Sequence, residues 1–163
     1  MSEARVDTVR LQGIMKGFWE SAALMSAVEL GLFTAIDRGD DTVAAAADAM
    51  GIEPLNAERL MTALVAMDLL TREAEHFRNA ADADRFLVEG KPSYAGPWML
   101  FSKPRWDGWG RLTENLRLPR DAWRVLGMYD ADFTVESARR YHEATYSIGM
   151  GAARRFHRQV DLA

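Results

Sequence analysis

Apolar residues recur at helical spacing almost from the start of this chain. Leu11, Met15, Phe18, Ala22 and Met25 follow one another at steps of four and three, which puts them on one face of a helix running from Val6 to Leu32. Gly31 is the predicted end of that helix, and "LFTAI" (Leu32–Ile36) folds back as a short turn. After the polar loop "DRGDD" (Asp37–Asp41), Thr42 is placed to cap a helix over Val43–Met50, which Gly51 ends. Pro54 and Asn56 open the next helix, to about Leu70, with Leu60, Met61, Leu64 and Val65 on its inner face. "LLTREAEHFRNA" (Leu69–Ala80) predicts two short strands around a turn near Glu75–His76, and a short helix spans Ala81–Leu87.

The texture changes between Gly90 and Pro119. "GKPSYAGPWMLFSKPRWDGWGRL" carries three prolines and five large aromatic residues: Tyr94, Trp98, Phe101, Trp106 and Trp109. The prolines break the segment into short helices. A turn around Leu118–Asp121 and a mixed stretch to Asp132 lead to a last helix, Phe133 to about Gln159, and then a short apolar approach, Val160–Ala163. The fold class is mainly α, a winged-helix unit with a small two-stranded wing and added N- and C-terminal helices. Three segments are expected: residues 1–36, the winged-helix unit over 37–90, and an aromatic helical layer with its connecting helix over 91–163.

Composition narrows the functional classes. A chain of 163 residues with 48% apolar and 27% charged residues has the balance of one soluble globular protein with a real core. Cysteine is absent, which excludes a disulfide framework and a thiolate metal site and fits the cytoplasm. Met1–Asp7 is polar with no apolar signal region after it, and no run approaches the ~18 apolar residues that span a membrane.

Winged helices commonly read DNA, and phosphate contact needs Lys and Arg on the reading helix and wing. Between Asp40 and Glu75 eight acids stand against Arg59 and Arg72, a local charge of −6. A duplex repels such a surface, so no nucleic-acid partner is expected. Nor do the histidines make a site. His76, His142 and His157 form no plausible metal or triad set, and the last two lie fifteen residues apart, about four helical turns. "GMG" (Gly149–Gly151) is a lone G-x-G inside a helix with no strand before it, too little for a nucleotide loop. No catalytic, cofactor-binding or metal-binding residue is therefore assigned in this chain.

The order of elements then resembles a known family. A long N-terminal helix precedes "AVELGLFTAI" (Ala27–Ile36) and an acidic winged helix ending "LVAMDLLTR" (Leu64–Arg72). Next come "FRNAADADRFLVEG" (Phe77–Gly90), an aromatic helix pair and a helix with "GMGAARR" (Gly149–Arg155). This is similar, over nearly the whole chain, to the N-terminal dimerisation domain of the S-adenosylmethionine-dependent O-methyltransferases, the plant phenolic enzymes and their bacterial natural-product and pigment relatives. The resemblance implies a homodimer in which the winged helix serves assembly. It implies a Rossmann-like cofactor domain after the last helix, holding S-adenosylmethionine and the catalytic histidine, so that this chain alone binds no cofactor and transfers no methyl group. It also implies a flat, aromatic small-molecule acceptor.

Candidate residues follow from the resemblance and from spacing together. His142, Tyr146 and Met150 stand at i, i+4 and i+8, along one face of the last helix. Tyr146 and Met150 match the family's acceptor-lining pattern, whereas His142 replaces an aromatic residue. Gly149 and Gly151 beside Met150 suggest that something approaches closely there. Trp98, Phe101 and Trp106, with Trp109, are candidates for an aromatic lid over the acceptor. For each, packing within the protein is the competing reading. Leu11, Met15, Phe18, Trp19 and Met25 are assigned to the dimer interface. Arg139, Arg140, Arg154, Arg155 and Arg158 make the last helix basic, by default a solvated face, with an acidic substrate as the lesser alternative.

Two functional classes remain: the dimerisation and substrate-capping part of an O-methyltransferase, or a non-catalytic winged-helix binding or regulatory module. The reading frame past Ala163 separates them. A strand with an acidic-x-Gly-x-Gly turn within about twenty residues supports the first. A stop codon supports the second, or one half of a split enzyme.

Overall fold

The computed structural model describes residues 7–119 and 134–160. The chain divides into two compact units, Met1–Asp84 and Arg85–Ala163, with the boundary inside a short helix. The boundary between the units falls inside the expected segment 37–90. The starts expected at Val6 and Phe133, the stretch to Asp132 and the last three residues lie outside the described set.

In the first unit, α1 (Val9–Glu29) is followed at once by α2 (Leu32–Arg38), where the sequence reading placed a turn. Gly31 makes the break: at φ 73° it occupies the left-handed region that other residues avoid. All of Leu32–Ile36 is buried, so α2 has no polar face to give it a helical period. Thr42 caps α3 (Val43–Met50), its hydroxyl accepting from the Ala45 N–H at 3.3 Å. Gly51 closes the same helix at φ 65°, with the Ile52 N–H reaching back to the Ala47 carbonyl. Pro54 opens α4 (Pro54–Ala66), whose Ala57, Met61 and Leu64 are buried. The helix stops four residues short of expectation because Asp68 turns left-handed, at φ 57°.

The wing is β1 (Leu70–Glu73) antiparallel to β2 (His76–Asn79), paired Leu70 with Asn79 and Arg72 with Phe77. Leu70 and Phe77 point inward and are buried, which fixes the register. Phe77 donates its N–H to the Asp41 carbonyl at 2.8 Å, and Asn79 Nδ2 donates to the Phe33 carbonyl at 2.8 Å. These bonds tie the wing to α2 and the loop after it. The two-residue turn is Ala74–Glu75, one position earlier than expected, and Ala74 adopts φ 54°. A Cβ there costs roughly 1 kcal/mol. Ala74→Gly is therefore expected to raise stability by about 0.5–1 kcal/mol in urea unfolding, while an unchanged or lower midpoint shows that the turn is unstrained.

The core of this unit is Met25, Ala27 and Val28 of α1, all of α2's apolar side chains, Met61 and Leu64 of α4, Leu70 and Phe77. α1 packs on α2 and α4, and its buried residues, Met25, Ala27 and Val28, all lie in its C-terminal third.

α5 (Ala81–Leu87) ends in the second unit. Beyond it lie α6 (Gly96–Leu100), a 3-10 turn at Lys103–Arg105, α7 (Trp106–Gly110), α8 (Leu112–Asn115) and α9 (Val135–Gln159). The short helices follow the prolines, as expected. Thr134 caps α9, its hydroxyl accepting from the Ser137 N–H at 3.1 Å. α9 packs on α6, and Ala144 is its one fully buried residue. Among the described residues no helix is long and apolar enough to cross a membrane.

Candidate functional site

The second unit gathers an aromatic layer between α6 and α9. Trp98 and Phe101, three residues apart and so on one side of the chain, stack with ring centroids 5.8 Å apart and planes within 10°. Phe101 meets Tyr141 of α9 edge-on, also at 5.8 Å. The Arg105 guanidinium lies over the Phe101 ring, 5.4 Å from its centroid. Tyr141 and Arg105 are the residues that sequence reasoning missed. Arg105 could have been found from its spacing of four after Phe101. Tyr141 could not, because only the fold brings it to α6.

The start of α6 is set by a close fit. Gly96 is buried, and a Cβ there would run into the Tyr94 ring and hydroxyl. Burial, and then the Glu89 carboxylate, pushes the Tyr94 phenol above its ordinary value, so it stays a neutral wedge under the helix that carries Trp98.

His142, Tyr146 and Met150 stand on a different face of α9 from the one that meets α6. Steps of about 100° per residue place Tyr141, Ala144 and Thr145 together and turn the three candidates away. His142 and Tyr146 touch, with ring centroids 5.9 Å apart. Tyr146 is 58% exposed and Met150 36%. None of the three is a core residue of this chain. Gly149 and Gly151 leave open space on either side of Met150: nothing lies within 4 Å of where a Cβ would stand. Trp106 is half-buried at the head of α7, and Trp109 is exposed. The structure thus brings Trp98 to Phe101 and Phe101 to Tyr141, and His142 to Tyr146, with Tyr141 and the His142–Tyr146 pair on different faces of α9.

The residues assigned to the dimer interface divide. Leu11, Met15, Phe18 and Trp19 are 54–60% exposed and, with Ile14, form an apolar ridge on the N-terminal part of α1. Met25 does not belong to it. It is 8% exposed and packs in the core of the first unit. The stripe is continuous in sequence, but its last turns are covered by the chain's own α2 and α4.

Elsewhere, a groove of about 290 Å³ beside the wing is lined by Asp37, Asp41, Phe77, Arg78, Asn79 and Asp84, among others, and by none of the predicted site residues. His76 Nδ1 sits 3.0 Å from Asp41 Oδ1 at its edge. Among the described residues no group of His, Asp and Glu could hold a metal ion.

Comparison with known proteins bears on the family and the fold. Residues 12–89 match the O-methyltransferase dimerisation domain. The chain is 31% identical over 158 residues to the 3-hydroxy-5-methyl-1-naphthoate 3-O-methyltransferase of Streptomyces sahachiroi, a match that spans 94% of this chain and 45% of the relative. It is 41% identical over 102 residues to the tetracenomycin polyketide synthesis 8-O-methyl transferase TcmO of Streptomyces glaucescens, spanning 61% and 30%. Among solved structures, CalO1, a methyltransferase in calicheamicin biosynthesis with SAH bound, superposes with a TM-score of 0.77 at 20% identity, over 98% of this chain and 50% of that one. That likeness shows the fold. The chain spans less than half the length of both Streptomyces relatives.

Proposed function

Because residues 12–89 place this chain in the O-methyltransferase dimerisation-domain family, we propose that it is the dimerising and acceptor-capping part of a cytoplasmic S-adenosylmethionine-dependent methyltransferase. Its acceptor is a flat aromatic small molecule of natural-product type, and its partner is a second copy of itself. The apolar ridge on α1 carries the proposal: a matched dimerisation domain presents side chains that the first unit leaves uncovered.

S-adenosylmethionine would supply an activated methyl group for displacement by an acceptor oxygen. Among the described residues no glycine-rich turn follows a strand to hold it. Gly149–Gly151 lie inside α9, with no strand leading into them. This chain's contribution is instead to orient the acceptor and exclude water. Trp98, Phe101 and Trp106 offer ring faces to a flat molecule, Met150 a polarisable thioether, and Tyr146 and His142 polar edges that hold a substituent. The acid-rich winged helix serves assembly, and no nucleic acid or membrane is part of the activity.

In the complete enzyme, Met150→Ala is expected to raise the acceptor KM roughly five- to thirtyfold, a loss of about 1–2 kcal/mol of contact, and to leave cofactor affinity unchanged. Steady-state kinetics with a hydroxynaphthalene acceptor tests this. An unchanged KM with a lowered melting temperature would make Met150 a packing residue and remove the α9 face from the acceptor site.

A further inference from the structure

The row His142, Tyr146 and Met150 has a fourth member. Arg139 stands three residues before His142 and seven before Tyr146 on α9. Seven steps of about 100° fall some 20° short of two turns, and the eleven steps to Met150 pass three turns by about 20°, so Arg139 lies in line with both. At a rise of about 1.5 Å per residue it is roughly 4–5 Å from His142 and 10 Å from Tyr146 along the axis. Arg139, His142 and Tyr146 are exposed, and Met150 is partly so. From its N-terminal end the row therefore presents a guanidinium, an imidazole, a phenol and a thioether.

Among the described residues the Arg139 side chain makes no ion pair and no hydrogen bond. The acids of its own helix do not neutralise it. Glu136 and Glu143 lie about 60° and 40° from it, on the side away from His142, and neither is paired with it. Of the five arginines of α9, Arg139 alone falls on this row. Arg140, Arg154, Arg155 and Arg158 are each turned about 80° or more from Tyr146. They contribute to the field of the second unit, where eleven Lys and Arg stand against five acids over 85–119 and 134–160. A field favours an anion without placing it, whereas a guanidinium at the end of the row gives the anion a position.

We propose that Arg139 is a specificity residue that selects acceptors carrying a carboxylate on their aromatic ring system. The ring system lies along Tyr146 and Met150 and its carboxylate pairs with the guanidinium, whose planar fork matches two carboxylate oxygens. His142, between the two, has a ring N–H to offer the same group. The inference rests on the reading of Tyr146 and Met150 as acceptor wall. It adds a substrate class that the wall alone does not give, because a ring face and a thioether are indifferent to the charge of a substituent.

The test is titration of this chain with 1-naphthoate and with 1-naphthamide, its neutral isostere, followed through the backbone amide resonances of a nitrogen-15-labelled sample. That readout gives affinity and location together. Both ligands should shift the amides over residues 142–150, and the wild type should bind the naphthoate about three- to tenfold more tightly, the range open to a well-aligned pair on an exposed face. Arg139→Leu should bring that preference below about twofold and leave the naphthamide affinity within about twofold. Arg140→Leu removes the same charge one residue away and off the row, and should keep a preference of about threefold or more. Should the Arg139→Leu spectrum lose its native dispersion, Arg139→Gln decides by the same criterion. Retention of the preference in the Arg139 variant overturns the inference, and so does an equal loss in both arginine variants, which assigns discrimination to the diffuse field. Equal wild-type affinity for the two ligands at residues 142–150 overturns it with the acceptor wall intact. If neither ligand shifts those amides, the wall itself falls, and with it both this inference and the acceptor reading on which it rests.

Discussion

Phe18→Glu is expected to turn a self-associating chain into a monomer at micromolar concentration. Phe18 is 54% exposed at the centre of the α1 ridge, with Met15 at 57% and Trp19 at 60% beside it. Covering the exposed half of such a ring removes about 100 Å² from water, or roughly 2–3 kcal/mol per copy. A twofold interface counts the loss twice, and the new carboxylates would be desolvated against apolar neighbours. The dimer constant should weaken by about a thousandfold or more. Sedimentation equilibrium reads this directly. An unchanged mass for the variant, at unchanged concentration, would mean that the copies meet elsewhere. Because the ridge contributes little to the fold of its own unit, the variant's melting curve should keep its cooperativity.

Met25→Glu tests the same stripe two turns further on, with the opposite expectation. Met25 is 8% exposed, packed where α1 meets α2 and α4. The substitution removes a buried thioether side chain and puts a carboxylate in an apolar core, for a combined cost of about 4 kcal/mol or more. That is comparable to the whole stability of a small unit. The expected result is loss of the cooperative thermal transition, with the monomer itself unfolded. A variant that melts normally and only dissociates would put Met25 back on the ridge, where periodicity had assigned it.

These two residues show how far the sequence could be read. Periodicity identifies the stripe Leu11–Met25 but is silent on what covers each part of it, since an apolar face is the same pattern whether a core or a second chain buries it. Cap chemistry was the most legible signal. Thr42 and Gly51 delimit α3 to the residue, and the bounds of α5 are as expected. α2 was illegible because five consecutive residues are buried, which leaves no alternation to detect. The end of α4 was missed because Asp68 takes a left-handed conformation without the Gly or Asn that would announce it. At the candidate site, the pairs Trp98–Phe101 and His142–Tyr146 follow from helical spacing and were visible. The contact of Phe101 with Tyr141 spans forty residues of sequence and exists only through the packing of α6 on α9.

That one buried alanine has a thermodynamic consequence for α9. A 25-residue helix gains most of its stability from the face it buries, and here that face is small: Ala144 is fully buried, with Ala138, Tyr141 and Thr145 half-buried. Two interior glycines cost it about 1 kcal/mol each, while Arg158 near its C-terminus returns a fraction through the helix dipole. From Gly149 to Val160 every side chain is exposed. The opening free energy of α9 must therefore be graded along its length, greatest around Ala144 and falling toward Gln159, so that its amides exchange with solvent in that order. Tyr146 and Met150 sit on the slope of that gradient. Any molecule that covers them adds its contact energy to a helix that has little of its own, and ordering of the helix and occupancy of the face become a single coupled equilibrium.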